Sequence, residues 1–88
     1  VAPISATHTL TLRGEAALRR ARAEILDAGR VLARSAWILV PGGQSVEVDV
    51  SLTAEPGVYA ARQVTNTGSN IHENLTMIDL GSVTHPPP

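Results

Sequence analysis

Apolar and polar residues alternate through the nine positions Ser45-Val46-Glu47-Val48-Asp49-Val50-Ser51-Leu52-Thr53, and valine dominates the apolar set. Period-two alternation rich in β-branched residues predicts a strand with one face buried and the other in water. Pro41-Gly42-Gly43-Gln44 precedes it and Ala54-Glu55-Pro56-Gly57 follows it. Pro pre-sets φ and Gly admits positive φ, so both flanks predict turns. Residues 58–65 predict a second strand, closed by Asn66-Thr67-Gly68-Ser69-Asn70, and residues 71–80 predict a third. Thr7-His8-Thr9-Leu10-Thr11-Leu12 alternates too, which predicts a strand near the N-terminus. Pro3 marks residues 1–6 as a flexible lead, and His85-Pro86-Pro87-Pro88 reads as a stiff extended tail. The expected organisation is one domain over residues 7–83, between that lead and a Pro-rich tail at 84–88.

Residues 15–37 obey two patterns at once. Leu18, Ala21, Ile25, Ala28 and Leu32 recur at spacings of three and four, the stripe of an amphipathic helix, in a segment rich in Ala, Leu, Arg and Glu. The other reading is a β-hairpin that turns at Asp27-Ala28-Gly29, a type I turn with Gly in the left-handed position of a bulge. In that hairpin Ala21, Ala23 and Ile25 share a face with Val31, Ala33 and Trp37, while Arg20, Arg22, Glu24 and Arg34 face out. Its register sets Arg22 opposite Arg34, a like-charge pair.

The run from Ala23-Glu24-Ile25 through Gly29-Arg30-Val31, then Val40-Pro41-Gly42-Gly43-Gln44 and Pro56-Gly57-Val58-Tyr59, resembles immunoglobulin-like sandwich modules. Val64-Thr65-Asn66-Thr67-Gly68-Ser69 is similar to a hairpin of many bacterial extracellular modules of that kind. The resemblance covers roughly residues 20–80. It implies an adhesive, spacer or fibre-forming role, although fold alone does not fix function. The expected fold class is therefore all-β, a small immunoglobulin-like antiparallel sandwich of about six strands. The structural alternative is α+β with one amphipathic helix at about 15–36.

Length and composition narrow the function further. At 88 residues and 9.2 kDa the chain has room for one core. Aromatic residues make up 2%, with Trp37 and Tyr59 but no Phe, so that core must be built from Val, Leu, Ile and Ala. Cysteine is absent, which removes disulfides, thiolate metal sites and cysteine nucleophiles. No run approaches the roughly 20 apolar residues of a membrane span. Val1 in place of Met implies processing, trimming or loss of the initiator.

Candidate chemistry is sparse. His8, His72 and His85 lack zinc-motif spacing, although Glu73 and Met77 lie near the second. Glu47 and Asp49 share one strand face, about 7 Å apart by strand geometry, and an exposed face of that kind is usually solvated. Gly42-Gly43 lacks the Lys-Ser or Lys-Thr of a phosphate loop, no nucleophile elbow is present, and Asn74-Leu75-Thr76 matches a glycosylation sequon. Neither an enzyme nor a cofactor or metal site is expected.

Charge is distributed unevenly. The net charge is −1, yet Arg13, Arg19, Arg20, Arg22, Arg30 and Arg34 precede residue 35, while Arg62 alone opposes Glu47, Asp49, Glu55, Glu73 and Asp79 after it. Without interleaved aromatics the basic half argues against nucleic acid and for a charge-complementary contact between subunits. The expected function is a non-enzymatic structural subunit of an extracellular fibre or virion-like particle, a homo-oligomer assembling through sheet edges. Leu10 and Leu12 would set the register on a neighbour's edge, with Arg20, Arg22 and Arg34 at the charged contact. The alternatives are a binding or spacer module of a secreted enzyme, or a small nucleic-acid-binding protein using the Arg-rich segment.

Overall fold

A computed structural model describes residues 2–67 and 74–86. It is all-β, with two antiparallel sheets and, among the described residues, no helix. The strands are β1 (Ile4–Arg13), β2 (Arg19–Asp27), β3 (Arg30–Arg34), β4 (Ile38–Val40), β5 (Ser45–Ala54), β6 (Gly57–Asn66) and β7 (Leu75–His85). β1 and β5 form a two-stranded sheet in unbroken register from Ile4↔Ala54 to Arg13↔Ser45. The second sheet has the order β3-β2-β6-β7, and β4 pairs with β2 at Arg19–Ala21, beyond the end of β3. With this short β4 the strands among the described residues number seven, where about six were expected. The apolar run at 38–40 forms it because β2 outlasts β3 and offers pairing to whatever follows.

The ambiguous segment resolves as strands. Ala21, Ala23 and Ile25 are all fully buried, whereas Leu18, on the would-be helical stripe, is 55% exposed. β2 gains a ladder on both sides, to β3 and β4 on one and to β6 on the other. Tertiary pairing of that extent overrides the helical propensity of Ala, Leu and Arg.

The hairpin differs from the sequence reading in its turn and register. Asp27 pairs directly with Arg30, leaving a two-residue loop of Ala28 and Gly29, both at positive φ (50° and 82°). A type I′ connection has that signature, and its twist matches the flanking strands better than the expected type I turn. The bulge sits instead between Ile25 and Leu26, and beyond it Glu24, not Arg22, lies opposite Arg34. The expected like-charge pair is replaced by an attractive one. Trp37 also departs from expectation: its ring packs against Arg22, 4.6 Å from the guanidinium carbon, on the face of the sheet away from the core.

Both chain ends are more deeply engaged than their composition predicts. Residues 4–6, read as part of the lead, pair with Ala54, Thr53 and Leu52. His85, read as the start of an exposed tail, closes β7 and is completely buried. The start of the expected third strand and most of its preceding turn, residues 68–73, lie outside the described residues.

The core is formed between the sheets by Leu12, Val50 and Leu52 from one and Ala21, Ala23, Ile25 and Val40 from the other. Each large aliphatic side chain contributes roughly 1.5–3 kcal/mol by leaving water. A polar tie completes it. Gln63, fully buried in β6, accepts from the Arg13 N–H through Oε1 (2.7 Å) and donates through Nε2 to the Arg13 carbonyl (2.9 Å) and to Thr65 Oγ1 (2.9 Å). The amide thus pairs with the Arg13 peptide groups as a neighbouring strand would. Gln63→Leu leaves both of those groups unsatisfied in a part-buried site, and a loss of about 1–3 kcal/mol in urea unfolding is expected.

Candidate functional site

The two sheets present different outer faces. In the β1–β5 sheet, Ala6, His8, Leu10 and Leu12 turn toward the core, while Ser5, Thr7, Thr9 and Thr11 are exposed. Their partners on β5 are Thr53, Ser51, Asp49 and Glu47. Hydroxyl contacts cross the ribbon: Ser5 Oγ lies 2.7 Å from Thr53 Oγ1, and Thr9 Oγ1 donates to Asp49 Oδ1 at 2.8 Å. Glu47 and Asp49 share the solvated face, as the sequence implies.

The backbone orientation of the ribbon follows from Gln63. Because the Arg13 N–H and C=O both bind that side chain, Arg13 and Ser45 form a non-hydrogen-bonded pair, and alternate pairs share this character. Ser5, Thr7, Thr9 and Thr11 therefore aim their peptide groups away from β5. Among the described residues no strand pairs with that edge. From Ile4 to Leu12 it carries no acidic, Lys or Arg side chain, no proline and no bulge.

The outer face of the larger sheet is organised around Glu24. Its carboxylate, 1% exposed, accepts from Arg62 Nε at 2.8 Å and Arg34 Nε at 3.1 Å, with Arg22 Nη2 at 3.2 Å. The sequence reading placed Glu24 in solvent. It is buried because the bulge brings Arg34 opposite it on one side and β6 brings Arg62 opposite it on the other. Val64, on the same face, is likewise buried at 2% exposure.

A second polar cluster joins the ends of the sheets. His85 Nε2 lies 2.7 Å from the Ile4 carbonyl oxygen and 3.2 Å from that of Ala54. Carbonyls only accept, so Nε2 carries the proton and His85 Nδ1 accepts from His8 Nε2 at 2.8 Å. Tyr59 meets the His85 ring edge-on at 6.2 Å and anchors its own hydroxyl by donating to the Glu55 carbonyl. Burial, and secondarily the neighbouring His85, pushes the His8 pKa below its ordinary value of 6.5. Among the described residues no three His, Asp or Glu side chains converge as metal ligands; His72 and Glu73 lie outside those residues.

Of the residues singled out for assembly, Arg22 and Arg34 meet at Glu24, and Arg20 is exposed on the same strand. Leu10 and Leu12 are elsewhere, packed into this chain's own core rather than displayed for a neighbour's edge. Glu24, Arg62, Gln63 and the His8–His85 pair were not singled out. Arg62, the lone arginine after residue 35, the outward-facing Glu24 and the separate histidines His8 and His85 each left a trace in the sequence, whereas Gln63 left none. No helix among the described residues is long and apolar enough to cross a membrane. No protein-family model, curated protein or solved structure matches the chain, so its own geometry carries the functional reading.

Two measurements test these clusters. Glu24→Gln removes the charge that holds three guanidinium groups together. The expected destabilisation lies toward the lower end of the roughly 3–5 kcal/mol typical for a broken buried pair, because Arg34 keeps 55% of its side chain in water. For His8, the depressed pKa means that the unfolded chain binds the proton first as pH falls below 6.5. Its contribution to stability is complete above that pH, declines below it and levels off under the folded-state pKa. Urea unfolding between pH 8 and pH 5 is expected to show this slope, and His8→Gln, which retains a donor for His85, to flatten it.

Proposed function

We propose that the chain is a non-enzymatic structural subunit of an extracellular fibre or virion-like particle, self-associating through the strands of its two-stranded sheet. The observation that carries this reading is the outer edge of β1. Proteins blunt free strand edges with charges, prolines, bulges or interruptions, and an unblunted edge is a template for another chain. The other edges have such devices. The β3/β4 side is split into two short strands, β7 is bulged opposite Ala61 and Arg62 with Gly81 at φ 97°, and β5 carries Glu47 and Asp49. β1 has none of these devices along Ile4–Leu12.

Relative width supports the same reading. Two strands span about 10 Å and four about 19 Å at the usual spacing, so the β1–β5 ribbon covers only part of the larger sheet. An added strand would extend that cover and satisfy the free peptide groups of β1 together. The immunoglobulin-like resemblance of residues 20–80 belongs to this proposal as well, since it implies an adhesive, spacer or fibre-forming role.

Light scattering over rising concentration is expected to show growth beyond the monomer. Thr9→Pro removes an outward N–H while leaving the β1–β5 ladder intact, and it is expected to stop growth at the smallest unit without unfolding the chain. A wild-type mass that stays monomeric up to about millimolar concentration, where even the weakest specific contacts populate, overturns the reading.

A further inference from the structure

β1 is joined to the rest of its chain by one ladder and a small set of side-chain contacts. It is the first element, its single ladder partner is β5, and it leaves the ribbon through Gly14–Leu18, a segment without strand pairing in which residues 15–18 are exposed. Its attachment to the larger sheet is concentrated in side-chain clasps at both ends. Gln63 holds the Arg13 peptide groups and His85 holds the Ile4 carbonyl, while His8 donates to His85. Between the clasps Leu10 and Leu12 fill the core.

We infer that β1 is an exchangeable strand, which leaves its own β5 and occupies the same seat in a second copy of this chain. The occupant is fixed by the shape and chemistry of the seat. A vacated seat presents the inward peptide groups of β5, the Gln63 amide at one end, the His85 ring at the other, and an apolar trough among Ala23, Ile25, Val50 and Leu52. An incoming strand must place a histidine four residues before a buried leucine, with small or hydroxyl side chains on the alternate face. Ile4–Arg13 of another copy meets every one of these requirements, because exchange of identical elements recreates each contact between chains. Closure of the linker sets the balance between the two forms. Gly14 is pressed against the 41–44 turn, its N–H donating to the Gln44 carbonyl at 2.6 Å, and a Cβ there would overlap the Pro41 carbonyl oxygen. A glycine alone fits this contact, and the exposed residues 15–18 that follow it are the hinge that extends toward a neighbour in the exchanged form.

The exchange rests on the self-association proposed above, and it gives Leu10 and Leu12 an intermolecular role through the core rather than through an edge. It also makes the smallest unit a strand-exchanged pair, which Thr9→Pro would leave assembled because the lost N–H faces away from β5.

The absence of cysteine in the chain makes the test direct. Thr7 and Ser51 are opposed in a non-hydrogen-bonded pair, where Cα atoms lie about 4.5 Å apart, within the span a disulfide bridges. The full chain carrying Thr7→Cys and Ser51→Cys is assembled under reducing conditions, oxidised and run on a non-reducing gel. Exchange predicts covalent dimers as the main product, and a mixture of isotopically heavy and light chains predicts heavy–light cross-linked peptides. Cross-links confined to single chains in an assembly of unchanged mass overturn exchange while leaving edge association standing. A wild-type chain that never exceeds monomer mass overturns both. Ser5→Cys with Thr53→Cys, the next such pair toward the chain end, repeats the test should the first variant not fold.

Discussion

Everything the smaller sheet does depends on how β1 is fastened across the gap between sheets. A two-stranded ribbon is marginal in water and needs a partner layer to persist. Here that layer supplies aliphatic contact and two side chains that imitate backbone. Gln63 presents an amide to the Arg13 peptide groups, and His85 presents a ring N–H to the Ile4 carbonyl. Polar groups in such places are costly when unpaired, so each clasp fixes where along the larger sheet β1 lies. The ladder to β5 then carries that placement through the whole ribbon.

The larger sheet solves a different problem. Its two central strands are buried on both faces over residues 21–26 and 61–66, apart from the partly exposed arginines at 22 and 62. The second face is closed not by another apolar layer but by a carboxylate drawn under three guanidinium groups, with Trp37 stacked on one of them. Arginine suits this use because its planar head stacks and hydrogen-bonds while its stem covers apolar surface. A chain with almost no aromatic residues thereby shields a second face without a second core.

Much of the strand content was legible from alternation, most clearly in β5, whose nine-residue pattern survives as odd positions exposed and even positions turned inward. β2 was ambiguous because its apolar residues fit both periods. Only the ladders on its two sides, which are long-range and invisible in a local window, settle the matter. The clusters were harder still. Glu24 reads as a surface residue until the bulge and β6 bring cations to it from residues 34 and 62. His8 and His85 are separated by 77 positions, and no local signal joins them. Charge counts located the basic half correctly but did not show that two of its arginines, with Arg62, are committed to one carboxylate.

The β2–β3 hairpin shows how backbone geometry and charge order are linked. The two-residue loop and the bulge after Ile25 act in the same direction: the loop, one residue shorter than expected, moves the pairing by one residue, and the extra residue on β3 moves it by one more, so Arg34 passes from Arg22 to Glu24 while keeping its face. Their sum decides whether Arg34 meets a carboxylate or another arginine. Drift in this segment is therefore constrained at both features. A loop longer by one residue, with the bulge kept, would set Arg34 opposite Ala23 and turn its side chain onto the core face, away from Glu24. Loop length and bulge are thus both held by the charge pattern, because losing either one turns Arg34 off the outer face and losing both sets it opposite Arg22.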